Sequence, residues 1–296
     1  GGLSSVPAPQ LGADTIAESL RRAEIPADVV DEVIMGNVLS AGLGQAPARQ
    51  SALHAGLPPT VSALTINKMC GSGLQSVMLA DQAIRAGDAR CVVAGGMESM
   101  SRAPHLLHGS RDGYRFGHQQ VLDSMLHDGL WCAFEDMAMG CEADYIAESR
   151  GVSREDQDAF AAESHRRAAE AINRGAFDKE IVSVVISSRK GETTISKDEG
   201  PRPETTTDTL GNLRPAFGRE GTVTAGNASQ ISDGAASVVV VDEALAAESK
   251  SPLKARIVSI ATSGVEPKEI FIAPVTAIQM VLDKAKLTVD DIDLFE

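Results

Sequence analysis

The chain has 296 residues, 43% of them hydrophobic and 23% charged, with a formal net charge of −14. This composition suits a globular chain of about two domains and excludes a wholly disordered or coiled-coil protein. The acidic excess repels a phosphate backbone, and an aromatic content of 3% leaves few platforms for stacked bases, so no nucleic-acid partner is expected.

In chain order, residues 11–25 set Ile16, Leu20 and Ala23 on one helical face, and Pro26 ends the pattern. Residues 32–39 read as a strand, 45–56 as a helix closed by Gly56, and 61–66 as a second strand. After Cys70 comes a helix whose apolar face is Leu74, Val77, Met78 and Ile84. The run CVVAGG (91–96) suits a central parallel strand buried on both faces. Strands alternating with helices predict a layered α/β architecture. Residues 153–174 form a polar helix with Ser153 as N-cap, and 186–212 are rich in polar residues, Pro and Gly. The apolar run 237–242 returns to the α/β core. Residues 103–231 therefore read as an inserted, solvated segment.

No apolar run approaches the roughly 20 residues of a membrane span, and no basic-then-apolar leader opens the sequence. Neither a membrane partner nor a signal segment is expected. The cysteines at 70, 91, 132 and 141 have neither the spacing of a metal site nor the density of a disulfide framework. A cytoplasmic location without a metal is the expectation.

An internal repeat is visible 262 residues downstream of the first helix. Ile16 corresponds to Ile278, Leu20 to Leu282, Ala23 to Ala285, Asp28 to Asp290 and Asp31 to Asp293. A second α/β unit thus begins near Leu253 and reaches Glu296 soon after its first helix.

The stretch TINKMCGSGLQSVMLA (65–80) reads as strand, tight turn and helix, with Cys70 at the turn. Gly71 and Gly73 are expected to let the backbone bend sharply. A cysteine beside a helix N-terminus lies near N–H groups and the positive end of the dipole, which favour a thiolate and can bind an oxyanion. From spacing alone Cys70 fits either a nucleophile of this kind or a small buried hydrophobe. Cys91 opens an apolar strand and reads as a core residue.

TINKMCGSG, together with GNVLSAGLGQAPARQ (36–50), VVAGGMESMS (92–101), LRPAFGREGTVTAGNAS (213–229) and DGAA (233–236), resembles the thiolase family along essentially the whole chain. The similarity is greatest to its bacterial members that condense acetyl-CoA. It implies a thiolase-like layered α/β fold with two duplicated βαβαβαββ halves and a loop domain inserted in the first. The boundaries that follow are 1–102 with 232–252 for the half bearing the nucleophile, 103–231 for the insertion that binds coenzyme A, and 253–296 for the start of a second half. The resemblance also implies that most of the second half is missing. The sequence reaches DLFE (293–296) where the family continues into an NEAF motif, and no histidine stands in the family's GHP motif.

The implied reaction is condensation of two acetyl-CoA to acetoacetyl-CoA and CoA, or the thiolytic reverse, through a thioester on Cys70. Two further readings are a broader-chain 3-ketoacyl-CoA thiolase and a non-catalytic CoA-binding fragment. By motif match Arg202 lies close to the nucleotide, Ser229 lies beside the pantetheine arm, and Ala225 and Gly226 let the backbone approach that arm. No permanently bound cofactor is implied, only CoA thioesters as substrates, and the family habit is a homo-oligomer. The sequence departs from the motifs at Ala138, where biosynthetic members carry a histidine lining the acyl pocket, and at Gln230 and Ser232 beside the ligand loop.

Overall fold

The computed structural model describes residues 1–189 and 191–296, which cluster into two compact units. Unit 1 contains 1–129, 179–199 and 231–254, and unit 2 contains 130–178, 200–230 and 255–296. Segments 103–129 and 179–199, which the sequence groups with the insertion, thus fold with the sheet of unit 1. Among the described residues no helix is long and apolar enough to cross a membrane.

Unit 1 is built on a four-stranded sheet in the order β10-β3-β1-β2, with elements numbered along the chain. Strands β1 (Glu32–Gly36), β2 (Ser62–Ile66) and β3 (Cys91–Ser99) are parallel, whereas β10 (Asp233–Val241) runs antiparallel to β3. The sheet is therefore mixed, and β3 has a parallel neighbour on one side only.

Side chains alternate across a strand, and the two faces separate accordingly. Val33, Met35, Cys91, Val93 and Met97 pack with α1 (Ala8–Ala23) and α2 (Pro47–His54) through Ile16, Leu20, Ala48 and Ala52. Ile34, Val92 and Ala94 face α3 (Ser72–Ala86). The result is a helix–sheet–helix sandwich, as the alternating elements predict. Strand β2 is one of the sheet's two edges, β10 being the other, and is the least covered of the four, with Leu64 43% exposed.

The buried face of α3 differs from the expectation. Ser72, Ser76 and Ala80 are inward, Val77 and Ile84 are half-buried at the flank, and Leu74 is 64% exposed. The helix lies too close to the sheet for a row of large side chains. A Cβ on Gly36 would stand 2.5 Å from the Ser72 Cβ, and Ser76 Oγ donates to the Gly95 carbonyl at 2.9 Å. Small residues thus replace an apolar stripe where backbones approach.

Two short pairs, β4 (His105–Leu106) with β5 (Leu122–Asp123) and the hairpin β8 (Val184–Ser188) with β9 (Gly191–Ile195), complete unit 1 with α7 (Glu243–Glu248).

Unit 2 holds the pair β6 (Trp131–Cys132) and β7 (Met137–Ala138), then α4 (Met139–Arg150), α5 (Arg154–Asn173), α6 (Thr207–Gly211) and α8 (Ala273–Ala285). Ser153 caps α5 as expected, in a reciprocal box with Asp156.

The repeat extends to backbone conformation. Helix α1 ends at Ala23 and α8 at Ala285, and each is followed by a left-handed residue, Glu24 (φ 54°, ψ 39°) and Lys286 (φ 58°, ψ 41°). Ile25 N–H closes on the Leu20 carbonyl, and Leu287 N–H closes on the Leu282 carbonyl. A single 3-10 turn follows in both copies, at Ala27–Val29 and Val289–Asp291. Burial does not repeat: Ile16 is fully buried in its unit, whereas Ile278 is 41% exposed.

Candidate functional site

The bend that carries Cys70 lies between β2 and α3. Asn37 N–H donates to the Ile66 carbonyl at 3.0 Å and fixes the end of β2 against β1. The chain then turns through Asn67, whose Oδ1 accepts from Met69 N–H at 2.9 Å. Ser72 Oγ accepts from Lys68 N–H at 2.8 Å and donates to the Met69 carbonyl at 2.6 Å. These cross-links hold the bend from both sides, and Cys70 stands at its apex, exposed, two residues before α3 begins.

The strained residue of the bend is Met69, with φ of 49°. The glycines serve otherwise than the sequence suggests. Gly71 has φ of −83° and is the N-cap, and Gly73 lies where backbones meet, with its Cα 3.4 Å from a Cβ built on Gly96. Neither glycine takes a left-handed turn, and a Cβ on Gly73 would stand 3.7 Å from Gly96 N, an ordinary contact.

Asn37, buried, and Glu98, half-buried, which carry no role in the sequence reading, form a pair at the C-terminal ends of β1 and β3. Asn37 Nδ2 donates to Glu98 Oε1 at 2.8 Å and to the Met97 carbonyl at 3.1 Å. The Glu98 carboxylate also accepts from Val38 N–H at 2.8 Å and Leu39 N–H at 3.1 Å. Burial pushes the Glu98 carboxyl above its ordinary value and prevails over those donors. Asn37 follows Gly36 directly, and Glu98 stands two residues after Gly96, with Met97 between. They fasten the strand ends under the first turn of α3.

The other cysteine of unit 1 contrasts with Cys70. Cys91 is fully buried, and burial, then the carboxylates of Asp31 and Asp242, push its thiol up to about 12.

Arg202, Ala225, Gly226 and Ser229 all fall in unit 2, and Cys70 falls in unit 1. Arg202 is exposed, and its backbone N–H donates to His165 Nδ1 at 3.1 Å. Ala225 and Ser229 are exposed. Gly226 is half-buried, and a Cβ there would run into Leu210 Cδ2 at 2.4 Å and Leu213 Cδ1 at 2.5 Å. Its lack of a side chain thus has a reason within the protein itself.

The loop before Ser229 is tied down by side chains the sequence does not single out. Asp144 Oδ1 on α4 accepts from Thr222 N–H at 2.8 Å and Val223 N–H at 2.9 Å. Val223 and Thr224 are buried, while Ala225 and residues 228–230 remain exposed. Ala138 is the N-cap of α4 and is half-buried. Two residues on, Gly140 lies against the Phe217 ring, where a Cβ would stand 2.0 Å from Cε2.

Residues 1–244 match the family model described as thiolase, N-terminal domain, and residues 251–296 match thiolase, C-terminal domain. The chain belongs to the thiolase family. This thiolase is 52% identical over 298 residues to an acetyl-CoA acetyltransferase of Escherichia coli, covering 100% of its own length and 75% of the relative. It is 50% identical over 297 residues to an acetyl-CoA acetyltransferase of Pseudomonas aeruginosa, covering 100% and 76%. A Staphylococcus aureus relative named as a probable acetyl-CoA acyltransferase is 47% identical over 297 residues, with the same coverage. The thiolase-like α/β class read from the sequence is thereby established.

Proposed function

We propose that this thiolase is an acetyl-CoA C-acetyltransferase that condenses two acetyl-CoA to acetoacetyl-CoA and CoA, or runs the thiolytic reverse, with Cys70 as nucleophile. The observation that carries the reading is the exposed sulfur at the apex of a hydrogen-bonded bend before α3. The Cys70 sulfur attacks the thioester carbonyl carbon, a new carbon–sulfur bond forms, and the bond to CoA sulfur breaks. CoA leaves as its thiolate, and the acetyl group stays on Cys70. N–H groups at the start of α3 are suited to receive the oxyanion of the tetrahedral intermediate. Splitting the condensation into two exchanges at sulfur lowers each barrier. In the second exchange, C2 of another acetyl-CoA loses a proton and bonds to the acyl carbon, the Cys70 sulfur departs as thiolate, and the lost proton balances the CoA thiolate released in the first exchange, which ends as the free thiol.

In this reading Arg202, Ser229 and the backbone at Ala225 and Gly226 receive the CoA moiety. An exposed guanidinium can pair with phosphate or stack on adenine. The division into 1–102 with 232–252, 103–231 and 253–296 belongs to the same proposal. No resident cofactor is needed, since sulfur itself carries the acyl group. Four free cysteines favour a reducing, cytoplasmic setting. A homo-oligomer is supported by the uncovered edge of β2 and by the exposed apolar side chains Leu107, Tyr114 and Phe116.

Ala138 favours a second reading. A methyl group in place of an imidazole at the N-terminus of α4 leaves room for a longer acyl chain, as in a broader 3-ketoacyl-CoA thiolase. The Staphylococcus aureus relative's name, acyltransferase, is in keeping with it.

Intact mass after incubation with acetyl-CoA tests the proposal. An acetyl adduct is expected on the wild-type chain and absent from Cys70→Ser. An adduct that persists in Cys70→Ser and maps to another cysteine refutes it. Repeating the measurement with longer 3-ketoacyl-CoA thioesters separates the two chain-length readings by relative rate.

A further inference from the structure

We propose that Asp158, with Arg154 one helical turn before it, is the positioning residue that sets the CoA-receiving loop 222–229 in its binding shape. The inference rests on the reading of that loop as the pantetheine contact and extends it to residues outside the loop.

Asp158 lies on α5 and is 4% exposed. Its two carboxylate oxygens hold different partners. Oδ2 accepts from Arg154 Nε at 2.7 Å, and Oδ1 accepts from Asn227 Nδ2 at 2.9 Å. The pair then reaches both strips of chain around Gly226. Arg154 Nη2 donates to the carbonyls of Leu210 at 2.7 Å and Leu213 at 3.1 Å. Asn227 donates to the Thr222 carbonyl at 3.1 Å, and its Oδ1 accepts from Thr224 N–H at 2.7 Å. Thr224 Oγ1 in turn accepts from Gly226 N–H at 3.2 Å. Leu210 and Leu213, whose backbones Arg154 holds, are the residues whose side chains wall Gly226.

One ion pair on one helix thus fixes both sides of the loop. The buried half, Val223 and Thr224, is locked, and the exposed half, Ala225 and Ala228–Ser229, is presented in a single register. Ser229 follows Asn227 by two residues, so the amide that Asp158 grips governs where the Ser229 hydroxyl stands. A buried carboxylate with two directed donors is worth more to a geometry than an exposed pair, because losing it leaves a donor unpaired away from water. A loop set in its bound shape does not have to be ordered by the ligand.

The test uses the full chain as wild type, Asp158→Asn and Asn227→Ala. Acetylation of Cys70 is followed by quenched-flow mass spectrometry against acetyl-CoA concentration. Acetylation by phenyl thioacetate, a thioester with no pantetheine arm, is followed in parallel. Each variant is expected to raise the half-saturating acetyl-CoA concentration about tenfold. The limiting rate and the phenyl thioacetate rate are expected within about twofold of wild type. Unchanged half-saturation overturns the proposal. Equal slowing with both thioesters also overturns it, since that is the mark of a general structural role, as does loss of the far-ultraviolet dichroism of both variants. If one variant alone fails to fold, the other decides. A wild type that reacts with phenyl thioacetate and not with acetyl-CoA defeats the functional reading itself, before any variant is compared.

Discussion

Two sulfurs of unit 1 are opposite in exposure, one on the bend between β2 and α3 and the other at the start of β3. Cys70 is exposed, while burial holds the Cys91 thiol at about 12. Iodoacetamide near neutral pH is therefore expected to label Cys70 in the folded chain and to reach Cys91 only in denaturant, which peptide mapping reads directly. The Glu98 carboxyl gives a second prediction at this scale. Its folded value lies above the unfolded one, so its contribution to stability is complete below the ordinary carboxylate range and is lost as pH rises through the raised value. Glu98→Gln is expected to flatten that slope in urea midpoints taken across the acidic range. It is also expected to cost about 1–3 kcal/mol, because both oxygens accept hydrogen bonds and an amide NH2 would face a donor. Cys70 was legible because its environment is local, a strand, a bend and a helix in sequence order. Glu98 was not, because its partners lie 59–61 residues away in the chain, and the link from Asp158 to the loop was not, because Asn227 lies 69 residues away.

The elements themselves follow the hydrophobic pattern closely except where glycine and serine replace it. The strands at 32–36, 62–66 and 91–99 and the helix at 154–173 lie where alternation and capping put them. Helix α3 lies in its expected place with a different inward face, since period alone selects Leu74 and a 2.5 Å clearance at Gly36 selects Ser72. Gly36→Ala is therefore expected to push the first turn of α3 off the sheet. Overpacking of this kind costs about 1–3 kcal/mol or more. Because that turn carries the bend, slower acetylation of Cys70 is expected along with a lower denaturation midpoint. A stability loss with an unchanged acetylation rate would separate the bend from the sheet beneath it. The mixed pairing of β10 was likewise outside the reach of the pattern, which registers an apolar run and not its direction.

For the whole molecule, the sequence divides the chain by motif and repeat, and the structure divides it by contact. The two differ at 103–129 and 179–199, because a segment can be inserted in sequence and still pack on the domain that it interrupts, and at 255–296, which the sequence sets apart and contact joins to unit 2. If β2 and the arm of Leu107, Tyr114 and Phe116 are faces between copies, then Leu64→Lys and Phe116→Ser are expected to lower the oligomer mass measured by light scattering. Wild-type mass in both variants would remove these surfaces from consideration. The paired joints at Glu24 and Lys286 carry a last consequence. One joint carries an acid and the other a base, yet their left-handed backbones agree within a few degrees. Glycine introduced at either position would relieve the same steric penalty of about 1 kcal/mol, so two sites separated by most of the polypeptide should respond to mutation as twins.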